Sequence, residues 1–236
     1  MVVLMAGKYM KQTKFMLSDM MENKINKHID ILIERYPSLN VCKNDIQTAF
    51  NILRQAYLEG RKLLVCGNGG SASDSEHIVG ELMKEFKLKR EIYKNQADAM
   101  KRIDPDLGNI LAEHLQGALP AITLTGHSSL TTAFMNDSNP ELVFAQQVNG
   151  YGKPNDVFLG ISTSGNSKNV LYAAVAAKAK GMNVIGLTGQ RPCRLKDLSD
   201  VCIQVPETET YKIQELHLPV YHCLCMMLEE YFFGKR

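Results

Sequence analysis

A histidine and a glutamate four residues apart, His77 and Glu81, follow at once on the run Cys66-Gly-Asn-Gly-Gly-Ser-Ala-Ser-Asp74. At that spacing two side chains share one face of a helix and can converge on a single atom. A carboxylate of tuned pKa can take a proton from a carbon beside a carbonyl. An imidazole, which changes charge near neutral pH, can pass protons between oxygens. Taken alone, His77 with Glu81 reads as an ordinary surface pair, as Glu85 with Lys89 does; the residues before it change that. Gly67, Gly69 and Gly70 let the backbone turn tightly and come close to a ligand. Ser71 or Ser73 is expected to open the next helix, whose free N–H groups favour an anion. A phosphate cradle beside a His/Glu pair points to chemistry on a phosphorylated small molecule.

A second loop supports this. Ser162-Thr-Ser-Gly-Asn-Ser167 offers four hydroxyls, at Ser162, Thr163, Ser164 and Ser167, with Gly165 to permit an unusual turn, and it too leads into a helix. It holds no lysine among its hydroxyls, which separates it from the nucleotide-binding GxxxxGK[ST] pattern. One such turn would be read as a polar helix cap; two at the same edge of a sheet favour a phosphate or sugar site.

The elements that must position these loops alternate. Residues 8–36 lack proline and glycine and place Met16, Met20, Ile25, Ile29 and Leu32 on one helical face, and Pro37-Ser38 ends the segment. A helix is expected from Lys43 to Leu58, closed by Gly60. Apolar runs at 62–66, 121–125, 156–161, 182–187 and 201–205 read as strands. Helices are expected over 72–86, 129–135, 140–149, 167–180 and 210–232. Short buried strands alternating with helices predict an α/β fold, a parallel sheet covered on both faces, with ligands beyond the carboxyl ends of the strands. We divide the chain into an N-terminal helical segment, 1–60, packing on the core and on a subunit partner, and a domain over 61–236. The charged stretch 87–119, with Asp104-Pro-Asp-Leu-Gly108 and a short amphipathic end, is an excursion expected to lie over the cleft or against a neighbouring subunit.

Gly67–Asp74, His77-x-x-x-Glu-Leu82, Asn136-Asp137, Ser162–Ser167 and Ile213-Gln-Glu-x-His217 with His222 together resemble the sugar isomerase (SIS) superfamily, and within it the phosphoheptose isomerases, over roughly 45–232. The resemblance implies a three-layer, flavodoxin-like fold with a five-stranded parallel sheet, usually assembled as a homotetramer. It implies that Asn68, Gly69, Gly70, Ser71, Glu81, Asn136, Asp137 and Gln214 contact substrate and that Ser162, Thr163, Ser164 and Ser167 hold its phosphate. It further implies that His77, Glu81, Gln214 and His222 bind zinc, one ion per subunit, and that Glu81 and His222 are the catalytic acid/base pair. Gln214 and His222 lie eight residues apart with Pro219 between them, so a kink there decides where His222 points. His217 is a competing histidine, read as packed or subunit-facing, and His114 and His127 as solvated or structural. The long 87–119 link, His127 after the second strand and Tyr211 before Lys212-Ile-Gln depart from the family pattern and leave room for a different sugar.

The expected activity is interconversion of a ketose phosphate and an aldose phosphate through an enediol, most simply sedoheptulose 7-phosphate to glycero-manno-heptose 7-phosphate. The alternatives are a SIS isomerase of another ketose phosphate and a non-catalytic module that senses a sugar phosphate or bridges proteins; the His77, Glu81, Gln214, His222 set favours an enzyme. A net charge of +2 is too small to argue for nucleic acid. No apolar run is long enough for a membrane span, and the N-terminus makes a poor signal peptide. Six cysteines with no CxxC spacing read as reduced thiols in a cytoplasmic protein.

Overall fold

The structure, a computed structural model, describes residues 21–234. Five strands form one sheet: β1 (Leu63–Cys66), β2 (Ala121–Thr123), β3 (Val157–Ile161), β4 (Asn183–Gly189) and β5 (Val201–Val205). Their spatial order is β2-β1-β3-β4-β5 and every neighbouring pair is parallel. This is the doubly wound order in which the winding reverses between β1 and β3, opening a crevice beyond their carboxyl ends.

Each strand is a nearly unbroken apolar run because both faces of the sheet are covered. Its alternate residues divide between two cores. Leu63, Val65, Val157, Leu159, Ile161, Ile185, Leu187 and Ile203 pack against one helical layer. Leu64, Cys66, Phe158 and Val184 pack against the other. The first layer holds α1 (residues 21–35), α2 (Lys43–Leu58), α3 (Gly70–Met83) and α10 (Thr210–Phe233); the second holds α7 (Val143–Tyr151), α8 (Lys168–Ala179) and the short α9 (Arg194–Leu198). Of the face expected on the first helix, Ile25, Ile29 and Leu32 are buried with α2, while Met16 and Met20 lie outside the described residues. A 3-10 turn, Pro37–Cys42, separates α1 from α2, and Gly60, at φ 68°, ends α2 as expected.

The stretch 87–119 is a helical hairpin, α4 (Lys94–Ile103) and α5 (Pro105–His114). The Asp104 side chain accepts from the N–H groups of Asp106 and Leu107 while Pro105 takes the first helical position, so the apparent breaker is a helix start. The neck is closed by an antiparallel bridge between Glu91 and Gln116 and by a Gly117 N–H to Arg90 carbonyl bond of 2.7 Å. The remaining helix, α6 (Ser128–Asp137), follows β2. No helix among the described residues is long and apolar enough to cross a membrane. All six cysteines are unpaired and buried, and burial pushes the thiols of Cys42, Cys202 and Cys223 up to about 12, so they are protonated and unreactive at neutral pH.

Candidate active site

The glycine loop follows β1 and the hydroxyl loop follows β3, so the two flank the crevice where the winding reverses. A reciprocal amide pair joins them: Asn68 and Asn169 each donate to the other at 2.9 Å. Asn68, Pro140, Glu141, Ser167, Lys168 and Asn169 line an open cleft of about 490 Å³ between the loops.

The hydroxyl loop is pinned by its backbone. Gly165 sits at φ 63°, and a side chain there would run into Cys193. Its carbonyl accepts from Leu195 N–H and the Asn166 side-chain oxygen from Arg194 N–H, which is how α9, absent from the sequence reading, supports the loop. Ser167 stands at the N-cap of α8 without capping it; its Oγ lies 3.0 Å from Ser162 Oγ instead. The helix after the glycine loop also starts differently from expectation. Gly69, at φ 55°, turns the chain so that α3 begins at Gly70; neither Ser71 nor Ser73 caps it, and Ser71 is buried within its first turn.

Helices α3 and α10 lie side by side in the same direction, meeting rung by rung. At the first rung Gly70 faces Gln214 so closely that a Cβ would stand 2.6 Å from the Gln214 amide nitrogen. Two turns on, Tyr221 and His222 meet Asp74 and His77. Pro219 does not break α10, and His222 is directed at the cluster.

His77 is the hub of that cluster. Its Nε2 is 3.2 Å from Glu81 Oε1 and 3.4 Å from His222 Nε2, so Glu81 and His222 flank one imidazole. On the other side the Tyr221 hydroxyl donates to Asp74 Oδ1 at 3.1 Å and lies 3.0 Å from His77 Nδ1. A phenol has one proton to give. Donated to Asp74, it leaves the phenolic oxygen to accept from His77 Nδ1–H, and the Nε2 lone pair then faces Glu81 and His222. Burial pushes Asp74 up, with Tyr221 and His77 opposing, and burial with the Asp74 charge raises Tyr221. Desolvation and then His77 lower His222, against the pull of Glu81, so it is neutral at physiological pH. Glu81 Oε2 is buried without a hydrogen-bond partner, Lys84 approaching only to 3.7 Å.

The remaining residues singled out from sequence divide. His217 is fully buried and both its ring nitrogens lack a hydrogen-bond partner, so it packs rather than joining the cluster. His114 is exposed, and His127 lies against the Tyr151 ring at 5.6 Å. Asn136 and Asp137, exposed at the end of α6, hydrogen-bond each other at 2.8 Å, and no hydrogen bond among the described residues ties them to either loop. Among the described residues no three His, Cys, Asp or Glu side chains form a ready-made metal cage. Sequence reasoning gave no part to Asp74, Tyr221 or Asn169. Asp74 lies three residues before His77, a spacing that marks it as a neighbour; nothing local marks the other two.

Residues 96–189 match the SIS domain family. A phosphoheptose isomerase of Nitratiruptor sp. is 41% identical over 187 residues, covering 79% of this chain and 86% of that one. Two solved phosphoheptose isomerase structures are similar at 30% identity. That from Neisseria gonorrhoeae has a TM-score of 0.67 over 89% of this chain and 98% of its own. That from Francisella tularensis has a TM-score of 0.68 over 88% and 97%.

Proposed function

The chain belongs to the phosphoheptose isomerase family, an aldose–ketose isomerase family, and on that premise we propose that it converts sedoheptulose 7-phosphate to glycero-manno-heptose 7-phosphate at the cluster of His77, Glu81 and His222. The observation that carries this reading is that Glu81 Oε1 and His222 Nε2 both touch His77, on two helices that lie side by side.

The phosphate is held by Ser162, Thr163, Ser164, Ser167 and the start of α8, where N–H groups and the helix dipole favour negative charge. That anchor supplies binding energy and orientation remote from the reacting carbons. Asn68, Gly69, Gly70, Ser71, Asn136, Asp137 and Gln214 contact the sugar. Glu81 takes the proton from the carbon beside the carbonyl and returns it to the neighbouring carbon. His222, neutral because it is partly desolvated, moves a proton between the two oxygens of the enediol.

The donor types suit zinc: His77 Nε2 lies 3.2 Å from Glu81 Oε1 and 3.4 Å from His222 Nε2, so a carboxylate oxygen and a second imidazole nitrogen, both groups that zinc takes as ligands, stand next to one imidazole. Glu81 Oε2, buried without a hydrogen bond, and the Nε2 lone pair assigned to His77 suit a cation as well. His77, Glu81 and His222 would hold it, and a bound Zn²⁺ would polarise the substrate carbonyl and stabilise the charge of the enediolate; Gln214, the fourth ligand expected from sequence, stands instead against Gly70, two turns away. We assign the enzyme to the cytoplasm, in keeping with six unpaired, buried thiols, and to a homotetramer, in keeping with the exposed apolar side chains of Ile103, Leu107 and Ile110 on the hairpin.

Incubation with seven-, six- and five-carbon ketose phosphates, followed by NMR, tests the reading. Conversion of sedoheptulose 7-phosphate above the others is expected. Preference for another ketose would move the substrate, and no conversion of any would remove the enzyme. Metal analysis of chelator-free protein and light scattering check the zinc and the tetramer.

A further inference from the structure

One buried ion pair lies two turns beyond the reacting cluster. Arg90 and Glu229 are completely enclosed and meet at 2.8 Å. Every polar contact they need is made by the protein. Glu229 accepts from the N–H groups of Phe86, Lys87 and Leu88 at 2.8, 2.9 and 3.2 Å as well as from Arg90 Nε. The other two guanidinium nitrogens of Arg90 donate, each at 2.8 Å, to the carbonyls of Leu82 and Glu81. Those carbonyls belong to the last turn of α3, whose C-terminal acceptors have no partner within the helix and favour a cation.

We infer that Arg90 and Glu229 are positioning residues for the isomerisation, setting the register of α3 against α10 and so the separation of Glu81 from His222. This rests on the function proposed above. The connections close a ring. Arg90 holds the backbone of Glu81 and binds Glu229, which stands seven residues after His222 on the same helix; His222 touches His77, and His77 touches the Glu81 side chain. A buried ion pair is weak grounds for stability, because apolar residues of similar volume often serve as well. What apolar residues cannot do is grip two carbonyls and three amides across two helices and a loop. A lysine at position 90 would keep the charge but lose the planar fork that reaches both carbonyls. The hydroxyl loop makes no bond to the pair, so the phosphate anchor is independent of it.

The test uses Arg90→Lys, Arg90→Ala and Glu229→Gln in the full chain, each checked for fold by circular dichroism. With sedoheptulose 7-phosphate, kcat is expected to fall about 10- to 100-fold while KM stays within about threefold, the pattern of misplaced reacting groups with an intact anchor. Guanidinium at millimolar concentration is expected to restore part of kcat in Arg90→Ala. A hollow of about 820 Å³, lined by Arg90, Tyr57, Gly117 and Phe233 among others, adjoins the space that the variant would vacate. In histidine side-chain NMR the rings of His77 and His222 should shift in the variants and His127 should not. Wild-type turnover reports on the proposed function, and the ring signals report on the clamp whether or not this sugar is the substrate. Folded variants with unchanged kcat and unchanged ring signals, a rise in KM alone, or loss of fold in all three variants would each overturn the inference, the last by assigning the pair to folding.

Discussion

His217 makes the stability of this protein depend on acid in a way that can be calculated. The ring is fully buried on α10, neither nitrogen has a well-formed hydrogen bond, and desolvation lowers its pKa to about 4, against the upward pull of a weak contact with the Thr188 backbone. In the unfolded chain the value is the ordinary 6.5. The folded pKa is therefore depressed, and between the two values the unfolded state binds the extra proton. Stability must fall as pH falls through that window. For one group with these values the loss between about pH 7 and about pH 5 is on the order of 2 kcal/mol. Replacing the ring by leucine removes the group and substitutes apolar volume at the cost of no more than a weak contact with the Thr188 backbone. His217→Leu should therefore change stability at neutral pH by less than about 1.5 kcal/mol and flatten the acid slope by about 2 kcal/mol. Urea unfolding followed by far-UV circular dichroism, at fixed protein concentration, gives both numbers; the chain has no tryptophan to serve as a fluorescent reporter. Taking the difference between wild type and variant cancels the other titrating groups. Parallel slopes in the two proteins would refute the reasoning.

Other expectations concern the cluster and the anchor. Glu81→Gln should lower kcat by about 10²- to 10⁴-fold, with substrate affinity measured by calorimetry within a few-fold of wild type, because the base is lost while the phosphate anchor stays. Tyr221→Phe removes the hydroxyl between Asp74 and His77, and chelator competition on the isolated protein should show zinc affinity reduced by about 10- to 100-fold. Ser162→Ala and Ser167→Ala should each raise KM by about tenfold or more at little cost in kcat, since each removes one hydrogen bond to a charged group bound equally before and during reaction. Steady-state kinetics decides it.

The sheet, the two loops and the histidine–glutamate cluster were legible because each leaves a local mark: an apolar run of strand length, a glycine or serine at a forced turn, an i,i+4 spacing. Helix α2 falls at Lys43–Leu58, the span expected, with Gly60 marking its end. What escaped depends on partners far away in the chain. Arg90 finds Glu229 across 139 residues, and Asn68 finds Asn169 across 101, so neither pairing leaves a sequence signature. Helix α9 is held by the backbone of the hydroxyl loop rather than by any pattern of its own. Helix α4 is polar on average and buries no residue, so it did not stand out from the charged stretch around it. The serines after the glycine loop looked like caps because serine usually is one; Gly69 made the turn instead and left them inside the helix.

The parallel pairing of α3 and α10 carries a consequence for how this enzyme can work. The residues proposed to move protons ride on two rails held at both ends, by Gln214 packed against Gly70 and by Glu229 bound to the segment just after α3. Sliding one rail past the other would have to cover a whole helical turn, about 5.4 Å, before side chains interlock again. There is no graded intermediate stop, so the reactive spacing exists before any sugar arrives. Whatever opening and closing accompanies turnover therefore falls to the strand-end loops, and adaptation to a longer or shorter sugar would proceed by resetting those loops while the rails stay where they are.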